Sequence, residues 1–339
     1  MADLRTNYMG IPLRNPLIVG ASPMTANLDS IKQIEEMGAG ALVTRSLFEE
    51  QIQLERFEFD EALHKEDCRN AEMITVSPNI EYLLPHEHLS WVKRAKQAVN
   101  IPVIASLNAV NKDTWIEYAK LLEKTGVDAL ECNLFASPKE SQHEGAAIEL
   151  EQIELIKELV KTISIPISVK LSFSYTNPLN VIERMDAAGA SAFVLFNRLF
   201  EPDIDAKQET RIYPINLSHA TDHRLPLRYA GLLEGTIKAD ICSSTGISTG
   251  EDVAKMILAG ATAVQTVSTL LRHKITHIRS LLKELSEWME VHEYSTLAAF
   301  QGTLSRRHSA DPWAYTRAQY VKLMMSSPEI LSKPSTRKD

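Results

Sequence analysis

The stretch GAGALVT at residues 38–44 returns as GVDALEC at 126–132, GASAFVL at 189–195 and GATAVQT at 260–266. Each copy reads Gly-x-x-Ala-apolar. Each follows an amphipathic segment: SIKQIEEM, WIEYAKLLEK, VIERMDAA and DVAKMILA. A glycine just past a helix takes the left-handed cap conformation without a side-chain penalty. The short, partly β-branched run after it suits a strand covered on both faces. The phrase therefore spells helix end, tight turn and buried parallel strand, four times over.

Working outward, further apolar runs fall between the copies: NPLIVGAS (15–22), IPVIASLN (101–108), IPISVKLS (165–172) and ADICSSTG (239–246). Proline opens two of them, a place where its missing N–H costs no ladder bond. Together the runs predict eight strands, near 17–21, 41–45, 103–107, 129–133, 167–171, 192–196, 239–243 and 263–267. Eight alternating β and α units argue for an α/β chain folded as a (β/α)8 TIM barrel, over a doubly wound open sheet. Two connections, 46–85 and 197–226, are too long for plain loops. In a barrel both follow strands on the C-terminal face, where active sites are built. The expected organisation is one barrel domain over 1–305 with these two insertions, then a tail over 306–339. The tail has a helical pattern near 312–325 and is expected to pack on the barrel or a partner subunit.

Composition excludes several classes. The chain has 339 residues, 44% of them hydrophobic, enough for a sizeable core. Its formal charge is −8, with no block of like charges, so nucleic acid is not an expected partner. No apolar run reaches the length of a membrane span, and MADLRTNYMG does not read as a signal peptide. Cys68, Cys132 and Cys242 lie far apart, with no CxxC pair and no iron–sulfur pattern. A reducing cytoplasm is the expected setting. His64, His86, His88 and His143 are read as loop residues, and no metal site is expected.

Polar residues at the C-terminal ends of barrel strands read as functional. Here those positions hold Ser22, Arg45, Asn108, Asn133, Lys170, Asn197, Ser244 with Thr245, and Ser268 with Thr269. The last two strands run into CSSTGISTGEDVAKM and QTVSTLLRHK. Small hydroxyl residues, Gly246 and two helix starts suit a phosphate. The alternative is ordinary helix capping by Ser248 or Thr249 with Glu251 and Asp252. Lys170 sits in an apolar strand, so it must pair or reach a ligand. Glu131 is the alternative partner, because alternation places it on the inward side with Asn133. Cys132 has the opposite parity and is expected to face the helices. Three amides around one cavity suit a planar ligand with alternating donor and acceptor edges.

The motifs LRNPLIVGASP, GALVTRS, IPVIASLNA, ALECNLFASP, IPISVKLS, FNR (196–198), ICSSTGISTGEDVAKMILAGATAVQTVSTLL and YSTLAAFQGTL resemble the FMN-dependent dihydroorotate dehydrogenase family, soluble class, over about residues 5–305. The resemblance implies FMN on the barrel mouth as cofactor. It implies flavin contacts from Ala21, Ser22, Asn108, Asn133 and Lys170. Gly246, Ser268 and Thr269, with Ser244 and Thr245 beside them, would form the phosphate side. Asn133 and Asn197 would meet the substrate. It further implies oxidation of dihydroorotate to orotate with hydride passing to flavin N5, a place in pyrimidine biosynthesis, and a homodimer.

The sequence departs from that family on the substrate side. The family's strand-4 loop reads N-L-S-C-P-N, with cysteine as the base. Here it is Asn133-Leu134-Phe135-Ala136-Ser137-Pro138-Lys139. Ser137 precedes the proline and is the candidate acid/base, with Lys170 as the second catalytic candidate. A lysine of the family is Arg45 here, and a serine is Arg198. These two arginines favour an anionic substrate, unless either pairs with a carboxylate of the long loops. The alternatives are a flavin oxidoreductase for another cyclic or unsaturated anion, and a barrel that binds a phosphorylated metabolite without redox chemistry. A partner protein, fumarate or oxygen would serve as electron acceptor, since no GxGxxG marks a nicotinamide site.

Overall fold

Gly38, Gly126, Gly189 and Gly260 all have positive φ, between 87° and 122°. Each follows a helix and precedes a strand, as the recurring phrase predicts. The computed structural model describes residues 2–53, 85–135, 142–198 and 202–311, together with Tyr315 and Met325. Ser137, Cys68, His64 and most of the tail lie outside the described residues.

The chain opens with a hairpin of β1 (Thr6–Tyr8) and β2 (Ile11–Leu13). The barrel strands follow: β3 (Leu17–Val19), β4 (Ala41–Val43), β6 (Val103–Asn108), β7 (Ala129–Asn133), β8 (Ile167–Leu171), β9 (Ala192–Leu195), β12 (Asp240–Ser244) and β13 (Ala263–Thr266). All eight pair in parallel. The ring closes where β13 pairs β3 (Gln265 opposite Ile18) and where β4 pairs β6 (Leu42 opposite Val103). A short strand, β5 (Leu47–Phe48), adds to the end of β6. An antiparallel hairpin, β10 (Asp203–Asp205) and β11 (Thr210–Ile212), stands in the second long connection.

The helices are α1 (Leu28–Glu36), α2 (Pro85–Ala98), α3 (Lys112–Glu123), α4 (Gly145–Thr162), α5 (Pro178–Ala187), α6 (Arg224–Leu233), α7 (Gly250–Ala259), α8 (Ser268–His273) and α9 (His277–Val291). The chain is thus a (β/α)8 barrel. Among the described residues no helix is long and apolar enough to cross a membrane.

Two apolar clusters follow from strand alternation. The outer one joins the helices to residues such as Leu42, Leu130, Cys132, Val169 and Phe193. Cys132 is fully buried there, as its parity predicts. The inner one fills the floor of the barrel with Ile18, Val43, Ile104, Ala129, Val194, Cys242 and Ala263, capped from below by Tyr8, Met9 and Leu13 of the hairpin. The Met9 N–H donates to Asp240 Oδ2 at 2.6 Å and ties that plug to β12.

A carboxylate stitch repeats around the N-terminal face. Glu35 in α1 accepts the N–H groups of Asn100 and Ile101 before β6. Glu123 in α3 accepts those of Ser164 and Ile165 before β8. Asp186 in α5 accepts those of Lys238 and Ala239 before β12. Each supplies acceptors to backbone donors that no strand satisfies. In the tail, Tyr315 lies against Gly231 of α6, and its hydroxyl donates to the Leu304 carbonyl.

His86 and His88, read from the sequence as loop residues, are instead helical, in α2, because Pro85 starts that helix with its φ already set. His88 is 2% exposed and its Nε2 has no hydrogen-bond partner among the described residues. Burial, with the Arg45 charge adding to it, holds its pKa at about 4, so it is neutral near pH 7.

Candidate active site

A cavity of about 670 Å³ opens at the C-terminal ends of the barrel strands. Ala21, Ser22, Arg45, Asn108, Asn133, Lys170, Asn197, Arg198, Ser244, Thr245, Gly246, Ser268 and Thr269 all line it. These come from eight strand ends, so the barrel brings together every described residue that the sequence reading placed in a cofactor, substrate or catalytic role. Ser137, on the connection between β7 and α4, is the one such residue outside the described set.

The amides form a chain. Asn108 Nδ2 donates to the Asn133 carbonyl at 2.9 Å, and Asn197 Nδ2 donates to Asn133 Oδ1 at 2.9 Å. These bonds fix which amide edge of Asn108 and Asn197 stays available to a ligand. Lys170 sits at the cavity floor, 8% exposed. Its Nζ lies 3.6 Å from Glu131 Oε1 and donates to Gln265 Oε1 at 3.3 Å. Gln265 in turn donates to Glu131 Oε2 at 2.5 Å. The lysine therefore both pairs with Glu131 and faces the cavity. Gln265 was not read from sequence, although a glutamine in step with Ala263 on a buried strand is the signal that finds it.

The two arginines differ. Arg198 lines the cavity but is engaged: it meets Asp222 at 2.7 Å and donates to the Asn216 carbonyl and Asn216 Oδ1. Arg45 makes no ion pair among the described residues. Its neighbour His88 is neutral, so it brings no second charge.

On the side formed by the last two strands, Gly246 has φ +76°, and a Cβ there would meet the His223 backbone nitrogen at 2.4 Å. Thr245 carries φ +81°, a strained position for a residue other than glycine, with its hydroxyl anchored on the Phe196 carbonyl at 3.1 Å. Ser218, also missed from sequence, lies across this region. It accepts from the Gly246 N–H at 3.2 Å and donates its own N–H to Ser268 Oγ at 3.0 Å. Arg272 donates to the Ser218 carbonyl. Thr249 with Asp252 forms a capping box at the start of α7, so the capping alternative holds for that pair. Ser22 Oγ lines the cavity, is buried and has no hydrogen-bond partner among the described residues. Among the described residues no group of His, Cys, Asp and Glu could hold a metal ion.

A parallel (β/α)8 barrel with one wall of amides, a lysine on the floor and the cavity at the strand C-termini defines a class: barrel enzymes that act on a small molecule held at the mouth. The match with known proteins is specific within that class. The chain belongs to the dihydroorotate dehydrogenase family, whose model matches residues 3–289. It is accordingly an oxidoreductase of that type.

The chain is 27% identical to the dihydroorotate dehydrogenase B (NAD(+)) catalytic subunit of Thermoplasma acidophilum, over 90% of this chain and 100% of that protein. It is 24% identical to dihydroorotate dehydrogenase A (fumarate) of Lactobacillus delbrueckii subsp. bulgaricus, over 78% and 86%. It is 23% identical to the chloroplastic dihydropyrimidine dehydrogenase (NADP(+)) of Arabidopsis thaliana, over 88% and 76%.

Proposed function

We propose that this chain is an FMN-dependent oxidoreductase acting on a CH–CH bond of a small cyclic or unsaturated anion, with dihydroorotate as the reference substrate. The observation that carries the reading is the convergence of Ser22, Asn108, Asn133, Lys170, Gly246, Ser268 and Thr269 on one cavity. The cavity fits the cofactor. Its volume lies in the range of small-molecule sites. The unpartnered Ser22 hydroxyl offers a polar contact, and the bare Cα of Gly246 keeps the backbone close. Ala21, Ser22, Asn108, Asn133 and Lys170 would hold the ring. Ser244, Thr245, Gly246, Ser268 and Thr269 would hold the phosphate end. FMN supplies the two-electron chemistry that no side chain provides.

The residues of the chain do the rest. Asn133 and Asn197 orient the substrate ring through their fixed amide edges. Arg45, which has no ion partner among the described residues, receives the anionic group. Arg198 shapes the wall, its charge already met by Asp222. Ser137 moves the proton at the carbon opposite the hydride, passing it to water or a neighbour.

A purified protein with the visible flavin bands supports the cofactor; a colourless protein that takes up no added FMN overturns it. Anaerobic mixing with dihydroorotate separates the reference substrate from another anion by whether the bands bleach. Ser137→Ala is expected to slow that step at least tenfold. Arg45→Ala is expected to raise the apparent Kd of the anion about tenfold or more, with a smaller effect from Arg198→Ala. A homodimer, a cytoplasmic setting and an external electron acceptor complete the proposal; light scattering tests the first.

A further inference from the structure

At the floor of the cavity three polar side chains bond to one another inside the barrel. Glu131 and Gln265 are each 1% exposed and Lys170 is 8% exposed. Glu131 and Lys170 stand on neighbouring strands, whereas Gln265 reaches them from β13, across the barrel. The Gln265 amide is oriented by its bonds: its nitrogen donates to Glu131 Oε2, which leaves its oxygen to accept from Lys170. Glu131 Oε1 accepts no hydrogen bond among the described residues and faces the ammonium at 3.6 Å. One carboxylate thus acts on the lysine twice, directly and through Gln265.

Fold stability does not account for this set. Replacing a buried ion pair by apolar groups of similar volume is often neutral or stabilising. The floor just below is filled by Val194, Cys242 and Ala263 without charge. What the set does accomplish is local: it fixes where an ammonium stands at the cavity floor and how much of its field reaches the ligand.

We infer that Glu131 and Gln265 are positioning residues that set the placement and the net charge of Lys170 toward the cofactor. The inference rests on the flavin reading of the cavity. A bare positive charge beside a flavin favours its reduced, more anionic form and raises the midpoint potential. The Glu131 carboxylate offsets that charge and holds the potential down. Gln265 shares the ammonium and keeps it from closing fully on the carboxylate.

The test is the midpoint potential of the FMN-loaded protein at pH 7, read by equilibration with a reference dye. In Glu131→Gln the ratio of reduced to oxidised flavin at a fixed dye potential is expected to rise about tenfold, or about 30 mV for a two-electron couple. Glu131→Asp, which keeps the charge, is expected to shift it less. The rise is expected to vanish in Glu131→Gln combined with Lys170→Met, because it acts through the lysine. Gln265→Met leaves the ammonium to the carboxylate alone and is expected to shift the ratio the other way. It decides the matter if Glu131→Gln does not fold. An unchanged or lower potential in Glu131→Gln, a rise that survives in the double variant, or a Gln265→Met shift of the same sign overturns the positioning role and leaves the flavin reading intact. A protein that takes up no FMN overturns that reading and this inference with it.

Discussion

Glu49 is a carboxylate that two backbone N–H groups and two side-chain amides hold. It is 2% exposed and accepts from the N–H groups of Val110 and Asn111, the Asn111 side chain and Gln53. It thereby ties the segment after β5 to the segment after β6, just behind Asn108. Burial opposes its ionisation, but the bonds from Asn111, Val110 and Gln53 outweigh it and hold its pKa below the ordinary 4.5. Because the folded value is the lower one, its contribution is fully present above about pH 4.5 and is lost as pH falls through the folded value. Glu49→Ala leaves buried N–H groups without an acceptor, so the urea midpoint is expected to fall by the equivalent of about 2–4 kcal/mol. Glu49→Gln is expected to flatten the loss of stability on acidification in that window. Individual residues were unequally legible. Lys170 and Glu131 could be paired from strand parity alone. For Arg198, pairing with a carboxylate of the long loops was legible as an alternative, but not that the carboxylate is Asp222, 24 positions on, because that depends on how the second long connection folds back.

At the level of elements, the recurring glycine phrase carried most of the information. A positive φ after each helix is a local requirement, and local requirements leave a residue signature. The stitches on the opposite face leave almost none. Glu123 is a half-buried residue in a last turn like many others, and only tertiary geometry brings the Ser164 and Ile165 N–H groups to it. Glu123→Ala is expected to cost about 1 kcal/mol in chemical unfolding, since water replaces part of what is lost. The same substitution is expected to leave the cavity's ligand affinity unchanged, because the stitch lies at the far end of the strands. Helix α2 was missed at its start for a related reason: its first turn holds Pro85 and two histidines, a composition that also reads as loop.

For the whole molecule, sequence identities of 23–27% to the named relatives coexist with a cavity that gathers the candidate residues from eight strands. A barrel preserves such convergence because strand order and parity place the residues, whatever the outer helices carry. The same closure governs the thiols. Cys132 and Cys242 are fully buried on opposite sides of the barrel wall, and burial pushes both thiols well up. Ellman's reagent is expected to modify neither under native conditions and both in denaturant; rapid native labelling at either position, mapped by peptide mass, contradicts the packing.

The hairpin that carries Tyr8 has one more consequence. By stoppering the barrel from below, it closes the floor of the pocket, so a ligand reaching the described cavity does so from the C-terminal ends of the strands.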